Sequence, residues 1–272
     1  MRALRSHWPE YLIEALGLGV FLMSACLFAV LLFHPTSPAH AALGSDLARR
    51  GVMGLAMGTT AITLVYSPWG RRSGAHFNPA VTLAFLRLGK VEVVDAAWYI
   101  AAQVLGAILG VALSWALLGE RLAHASTRFV ATRPGPAGPL AAFAAELAIS
   151  LVLMSVVLRV SSSRRMRLTG VCAGLLVALY ITVEAPISGM SMNPARSLGS
   201  AVFAGTLSSL WIYFLAPPLG MQLAAILAPA SARRGCAKLD HPPDRPCIFC
   251  GQGLPPTTTR TSSALHPNAA EV

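Results

Sequence analysis

Two Asn-Pro-Ala boxes inside apolar sequence are the residues whose types and spacing point to chemistry in this chain. The first box begins at Asn78 and the second at Asn193. Asparagine amides donate hydrogen bonds to oxygen atoms, and a proline suits the first turn of a helix because its missing N–H is not needed there. Each box therefore predicts a short helix that begins abruptly, with a hydrogen-bond donor at its tip. One such box alone would also fit an ordinary helix cap or turn.

Three ionisable side chains also lie within or beside apolar segments. Arg196 directly follows the second box, and a positive charge inside a membrane costs at least about 2.5–3.5 kcal/mol on insertion scales. Glu14 and Glu146 each stand near the start of an apolar run. The sequence places no nucleophile, metal cluster or acid–base pair around these two carboxylates. We therefore predict structural roles for them, no enzyme activity and no cofactor.

Composition is typical of a membrane protein. The 272 residues are 55% hydrophobic and only 12% charged, whereas about a quarter of the residues in an ordinary soluble domain are charged. The net charge of +10 lies in short clusters between apolar runs. Nothing resembles a nucleic-acid recognition motif, so we predict no nucleic-acid partner. The distribution of Lys and Arg among the connections favours an orientation with both termini cytoplasmic, and we expect the protein to lie in the cell (inner) membrane.

Six apolar runs can cross a bilayer, which requires about 20 residues each. They are 12–33, 52–66 with an extension toward residue 47, 97–118, 141–160, 168–183 and 210–227. Two further runs, 78–86 and 193–202, are too short to cross and begin at the boxes. Three spans per half is an odd number, so the second half must be inverted relative to the first.

The predicted fold is an all-α membrane protein with six transmembrane helices and two re-entrant half-helices. The first repeat occupies residues 1–130, and the inverted second repeat occupies residues 131–232. Residues 233–272 are rich in Pro and Thr, which predicts a disordered cytoplasmic tail.

A Gly-containing stretch precedes each box. Non-helical backbone is tolerated at membrane depth only where protein or a water-filled cavity satisfies it, so we predict that these carbonyls line a file of permeating molecules. The helix N-termini behind them each carry about half a positive charge, which repels cations. The predicted pore carbonyls belong to Gly74, Ala75, Phe77, Gly189, Ser191 and Met192.

Together these features resemble the aquaporin, or major intrinsic protein, family over residues 8 to 230. The resemblance rests on the two boxes, the lead-in from Ser73 to Phe77, Arg196, the two span glutamates and Gln103. It implies a passive channel for water or other small neutral solutes that excludes ions and protons, assembled as a homotetramer. It also implies that Glu14 and Glu146 accept hydrogen bonds from the re-entrant loops, with Gln103 in support.

The resemblance further implies an outer constriction that selects the solute. Arg196 is expected to line it and to repel cations, and His76 is expected to lie in the pore or to pack beside it. The remaining expected constriction residues are Ile181, Met190 and either Met57 or Gly58.

The sequence predicts the identity of the solute less clearly than it predicts the fold. Ser197 replaces the aspartate that usually follows the arginine in glycerol-conducting members, and Ala201 and the Tyr213-Phe214 pair also favour the water-conducting, bacterial-type branch. However, Ile181 stands where water-selective members commonly carry a histidine. A facilitator of glycerol or another small solute, with little water conduction, is therefore the alternative.

Other classes fit the sequence less well. A secondary transporter also has inverted repeats, but it would carry ionisable residues at mid-membrane, where this chain has asparagines. Intact boxes argue against a non-conducting scaffold. In the tail, Cys236, His241, Cys247 and Cys250 offer four soft ligands, but one Cys-x-x-Cys is weak support for zinc, so we predict no metal.

Overall fold

All regular structure in the part of the chain that the computed structural model describes, residues 2–234, 236–241 and 247–252, is helical. The body consists of α1 (Arg2–Phe33), α2 (Asp46–Tyr66), α3 (Pro79–Arg87), α4 (Val93–Leu118), α5 (Gly138–Ser161), α6 (Thr169–Val183), α7 (Pro194–Ala204) and α8 (Leu210–Ile226). Short helical segments lie at Pro38–Ala42, Pro68–Ser73, Glu120–Ala123, Arg128–Val130, Met166–Leu168, Ala185–Ser188 and Ala230–Arg234.

Each of the six predicted spans coincides with one long helix. Four of them, α1, α4, α5 and α6 counted from Met166, are long and apolar enough to cross a membrane by length and composition. Helix α2 has 21 residues but begins with charged side chains, and α8 has 17 residues. Both nevertheless expose large apolar side chains, such as Leu55 on α2 and Leu215 on α8, as helices that face lipid do.

The two halves interlock through their half-helices. Helix α1 packs along α4 and α5 packs along α8, while α2 packs along α6 and joins the halves. Half-helix α3 makes more contacts with α8 of the second half than with its own neighbour α4, and α7 likewise packs mainly against α4. The helices therefore follow the expected inverted three-plus-three arrangement without separating into two bodies.

Glycines permit close helix crossings in this body. A Cβ atom at Gly110 of α4 would stand 2.6 Å from the carbonyl oxygen of Gly19 in α1. A Cβ atom at Gly58 of α2 would stand 2.5 Å from the carbonyl oxygen of Gly174 in α6. Small residues let helices approach closely in lipid, where packing rather than the hydrophobic effect holds them together.

Part of the tail packs against the body, which differs from the disorder expected from its composition. Within it, Ala237, Lys238 and Cys247 are buried, and Asp240 forms a 3.3 Å ion pair with Arg71. The physical reason is a local concentration of Cys, His and Phe side chains that composition averaged over the whole tail conceals. The rest of the expected tail, 242–246 and 253–272, lies outside the described residues.

We predict that Gly110→Ala destabilises the fold by about 1–3 kcal/mol, the usual effect of overpacking a close contact. The added methyl group meets backbone of α1, which cannot move aside as a flexible side chain can. Gly51→Ala in α2 is the matched control, because nothing lies within 4 Å of its Cβ position. Thermal unfolding of both variants in detergent measures the difference, and equal melting temperatures would contradict the close crossing.

Candidate functional site

The two boxes place asparagines at the N-termini of the half-helices, as predicted. Asn78 caps α3 by accepting a 2.8 Å hydrogen bond from the Ala80 N–H. Asn193 caps α7 by accepting from the N–H groups of Ala195 and Arg196, at 3.1 and 3.2 Å. Each side-chain oxygen is thereby committed to its own helix, which fixes the amide nitrogen on the opposite side.

The amide nitrogens tie the two halves together. Asn78 Nδ2 donates to the carbonyl oxygen of Met192 at 2.7 Å, and Asn193 Nδ2 donates to that of Phe77 at 2.8 Å. An amide nitrogen carries two hydrogens, so one donor per asparagine remains for an oxygen atom in the adjacent cavity. The carbonyls of Phe77 and Met192 therefore orient the asparagines in addition to lining the cavity.

The stretches before the boxes adopt unusual backbone conformations. Three residues in each stretch have positive φ, which rotates successive carbonyls away from a regular helical direction. Non-glycine residues rarely occupy this region, so surrounding contacts must hold it. The angles are +94°, +52° and +45° at Gly74, Ala75 and Phe77, and +82°, +50° and +54° at Gly189, Met190 and Met192.

Glu14 holds the first stretch. Its carboxylate accepts hydrogen bonds from the N–H groups of His76 at 3.1 Å and Phe77 at 2.6 Å. It also accepts from the Ser73 hydroxyl at 2.7 Å and from the Gln103 amide at 2.8 Å. Because the side chain is fully buried, these four donors replace the water that a carboxylate would otherwise bind.

Glu146 holds the second stretch in the same way. It accepts from the N–H groups of Ser191 at 2.6 Å and Met192 at 2.7 Å, and from the Ser188 hydroxyl at 2.7 Å. The position equivalent to Gln103 in this half is Pro217, which has no side-chain donor. The carboxylates thus occupy the positions expected for loop support.

Two tyrosines also hold the stretches before the boxes, a role that the sequence analysis did not predict. Tyr99 Oη donates to the Ser73 carbonyl at 2.7 Å, and Tyr213 Oη donates to the Ser188 carbonyl at 2.5 Å. Both tyrosines are fully buried. Tyr99 and Tyr213 occupy equivalent positions in the two halves of the sequence, and so do Ser73 and Ser188. This repetition is the sequence signal that could have identified the two tyrosines.

A cavity of roughly 630 Å³ runs past both boxes. One end, which we call the Arg196 mouth, includes Arg50, Val130 and Arg196. The other end, the His76 mouth, includes Val65, Gly170 and His76. The predicted pore residues that line the cavity are Met57, Gly74, Ala75, His76, Phe77, Asn78, Ile181, Gly189, Met190, Ser191, Met192, Asn193 and Arg196.

Gly58 is the exception among the predicted pore residues, and the alternative Met57 lines the cavity instead. Gly58 faces α6, where its backbone meets that of Gly174. A step of one residue along a helix turns the side chain by about 100°, so only one of the two neighbours can point inward.

Arg196 lines the cavity beside the apolar side chains of Met57, Ile181 and Met190, with one of its donors fixed. Its Nη1 donates to the Val130 carbonyl at 2.8 Å. A guanidinium has five N–H donors, and Arg196 forms no salt bridge within the described residues. The remaining donors can bind a solute oxygen, and the charge is not cancelled by a contacting carboxylate.

Val130 was missed by sequence reasoning because its backbone, not its side chain, does the positioning. Arg128, Phe129 and Val130 all have positive φ, between +42° and +54°. This left-handed turn directs the Val130 carbonyl toward Arg196. No side-chain pattern in the sequence signals such a turn.

Ser197 lies behind the re-entrant loop and not in the cavity. It is fully buried, and its hydroxyl bonds to Ser191 Oγ at 2.6 Å and to Thr132 Oγ1 at 2.8 Å. Tyr213 is likewise committed to its loop contact. Two of the residues used to choose between solutes therefore support the loop without touching the path.

His76 packs at the other mouth. Its Nδ1 lies 3.1 Å from Thr82 Oγ1, and its ring stacks on Phe85 at 4.9 Å between centroids. Its Nε2 has no hydrogen-bond partner among the described residues. Separately, the four tail residues Cys236, His241, Cys247 and Cys250 come together beyond this mouth, with donor atoms within 4.8 Å of one another.

Comparison with known proteins identifies the family. The model of the major intrinsic protein family matches residues 2–228. The solved aquaglyceroporin of Plasmodium falciparum superposes with a TM-score of 0.69 at 22% identity, covering 81% of this chain and 95% of that one. This likeness shows the fold.

Two relatives illustrate the range of similarity. The chain is 38% identical over 203 residues to the glycerol uptake facilitator protein-like 6 of Lactiplantibacillus plantarum, covering 73% of this chain and 91% of the relative. It is 39% identical over 168 residues to aquaporin NIP1-2 of Arabidopsis thaliana, covering 60% of this chain but only 56% of that protein. Neither relative supports the water-branch placement inferred from Ser197, Ala201 and Tyr213-Phe214.

The repeated boxes, the carboxylate-held loops and the cavity between them agree with the family match over residues 2–228. The expectations of an all-helical membrane fold and of a protein that is not an enzyme are confirmed. This chain belongs to the major intrinsic protein family of membrane channels.

Proposed function

We propose that the chain passes small uncharged hydroxyl compounds of about the size of glycerol, together with water, and excludes ions. The observation that carries the proposal is the composition of the cavity beside Arg196. The other constriction residues there, Met57, Ile181 and Met190, are apolar. The name of the Lactiplantibacillus relative supports the same solute class.

The constriction suits a molecule with one polar and one apolar side. Hydroxyl groups can accept hydrogen bonds from the free Arg196 donors and donate to the loop carbonyls. The carbon skeleton can contact the methionine and isoleucine side chains, and methionine adapts its shape easily. A water molecule satisfies only the polar side, so this arrangement gives it no advantage over a small polyol.

Exclusion of cations follows from the fixed positive charges that surround the cavity. The N-termini of α3 and α7 both point at the cavity centre, and each carries about half a positive charge. Arg196 adds a full charge near one mouth. This type of barrier is the one cited for aquaporins as a class, and here it is supplied by Asn78, Asn193 and Arg196.

The proposal includes two expectations from the sequence. Four copies assemble, each with its own pore, and both termini lie on the cytoplasmic side. The exposed apolar side chains of the long helices supply surface for lipid and for neighbouring copies alike.

Stopped-flow light scattering on proteoliposomes tests the proposal. We expect rapid shrinkage in sucrose with a low activation energy, followed in glycerol by re-swelling well above that of empty liposomes. Folded, inserted protein that accelerates neither flux would contradict a channel for these solutes. Fast water flux without glycerol flux would instead favour the water-conducting alternative.

Arg196→Ala should loosen selectivity, because Arg196 is the charged donor among the four proposed constriction residues Met57, Ile181, Met190 and Arg196. We expect passage of solutes larger than glycerol to rise by about tenfold, equivalent to lowering the barrier by about 1.4 kcal/mol. Arg121→Ala is the control, since Arg121 is an exposed arginine in the same α4–α5 connection that supplies Val130. Unchanged solute ranking and ion exclusion in Arg196→Ala would count against the assigned role.

Ile181→His should lower the ratio of glycerol to water permeability. The imidazole replaces an apolar wall that contacts the carbon skeleton with a hydrogen-bonding group that water can use. Ile181→Leu keeps the apolar wall and should retain a ratio near that of the unaltered chain. Parallel swelling assays measure both ratios, and a glycerol preference in Ile181→His equal to that of Ile181→Leu would rule out this wall as a selector.

A further inference from the structure

Four soft ligands converge in the described part of the tail. The donor atoms of Cys236, His241, Cys247 and Cys250 all lie within 4.8 Å of one another. The Cys236 and Cys247 sulfurs are 3.7 Å apart, and the Cys250 sulfur is 3.2 Å from His241 Nε2. A tetrahedral zinc ion with bonds of about 2.3 Å to sulfur and about 2.0 Å to nitrogen requires ligand separations of roughly 3.5–3.8 Å. The Cys236–Cys247 and Cys250–His241 separations agree with this geometry to within a few tenths of an ångström. The remaining separations, which extend up to 4.8 Å, require the side chains to close by at most about 1 Å around the ion.

The backbone around two of the cysteines forms a tight turn. The Gly251 N–H donates to the Cys247 carbonyl at 2.9 Å, and the Cys247 N–H donates to the Gln252 carbonyl at 2.8 Å. Gly251 has φ of +69°, a conformation that glycine adopts without strain. The turn brings both sulfurs of Cys247-Ile-Phe-Cys250 to the same side.

The chemistry of the four donors selects the metal class. Three thiolates and one imidazole favour zinc over magnesium or calcium, which prefer oxygen ligands. Four protein ligands leave no open position, which is the arrangement of structural rather than catalytic zinc. The Lys238 N–H points to Cys236 Sγ at 3.4 Å, and such a donor stabilises negative charge on a thiolate. A disulfide would use only two of these groups and would not account for the histidine.

The cluster lies directly over the His76 mouth. The Phe249 ring stacks on His76 at 5.7 Å with an interplanar angle of 2°, so that His76 lies between Phe249 and Phe85. A Cβ at Gly74 would lie 3.4 Å from both Phe249 and Lys238. Ala237 and Leu239 form part of the cavity wall. The tail therefore forms part of the cavity wall at the level where the first re-entrant loop begins.

We propose that Cys236, His241, Cys247 and Cys250 bind one zinc ion, and that the metal holds Phe249 and Lys238 over the His76 mouth to restrict permeation. The second part rests on the proposed channel function. The described tail segments have no helix or strand after Arg234, so their order depends on few contacts. Metal binding to such a segment supplies its folding free energy, and loss of metal would release Phe249 from the mouth.

Metal content tests the site independently of transport. The full chain, loaded with zinc chloride and then desalted, should retain one zinc per chain by mass spectrometry of the metal, and cobalt(II) should give the visible bands of a tetrahedral thiolate site. Cys247→Ser with Cys250→Ser should lose both signals. Cys172→Ser, which removes a thiol within α6, should keep them. Wild-type protein without zinc, or equal zinc in the double variant, would overturn the site.

Glycerol flux tests the restriction. A membrane-permeant chelator, or the double cysteine variant, should raise flux by roughly tenfold if the metal-held form occupies about 90% of the population. Phe249→Ala should raise flux while retaining zinc, whereas Ile248→Ala should change neither.

The flux outcomes separate the two proposals. Equal flux with and without zinc, in a chain that binds zinc, would overturn the restriction alone. No flux in any form, including a chain ending at residue 234, would contradict the proposed channel function, while the metal content still decides the zinc site.

Discussion

Two buried carboxylates make the rest of this structure possible. Membrane depth offers no water to satisfy the N–H groups of a non-helical chain, yet a pore needs exposed carbonyls there. Glu14 and Glu146 resolve this conflict by each accepting two backbone N–H groups and a serine hydroxyl. With the N–H groups held from behind, the carbonyls of the same peptides can face the cavity. The glutamates thus act on the solute path without touching it.

Much of this arrangement could be predicted from sequence because it is repeated. Asn78 and Asn193, and Glu14 and Glu146, are conspicuous as pairs, and the apolar runs around them match the long helices. Val130 could not be predicted, because its contribution is a carbonyl oxygen and any residue has one. The sequence could not decide whether Met57 or Gly58 faces the cavity. That choice depends on how α2 is rotated about its axis, and the spacing between α2 and the first box is uncertain by one residue.

The choice of solute branch shows a different limit. The residue types at Ser197 and Tyr213 favour water conduction, but both side chains are buried behind the second loop, where they bond to Ser191 and to the Ser188 carbonyl. Residues that distinguish groups of related channels need not contact the solute. Ile181 and Met190, which line the cavity, carry the physical information, and they describe an apolar wall. Composition predicts the tail poorly for a related reason, because four ligand residues contribute little to the average over the segment.

The exchange of half-helices between repeats has a consequence for biogenesis. Half-helix α3 packs mainly on α8, a helix that the ribosome completes more than a hundred residues later. During synthesis the first half must therefore hold an incompletely seated re-entrant segment until the sixth span is inserted. Neither half alone can reach its final packing, so insertion of the last span is the event that completes both halves of the pore.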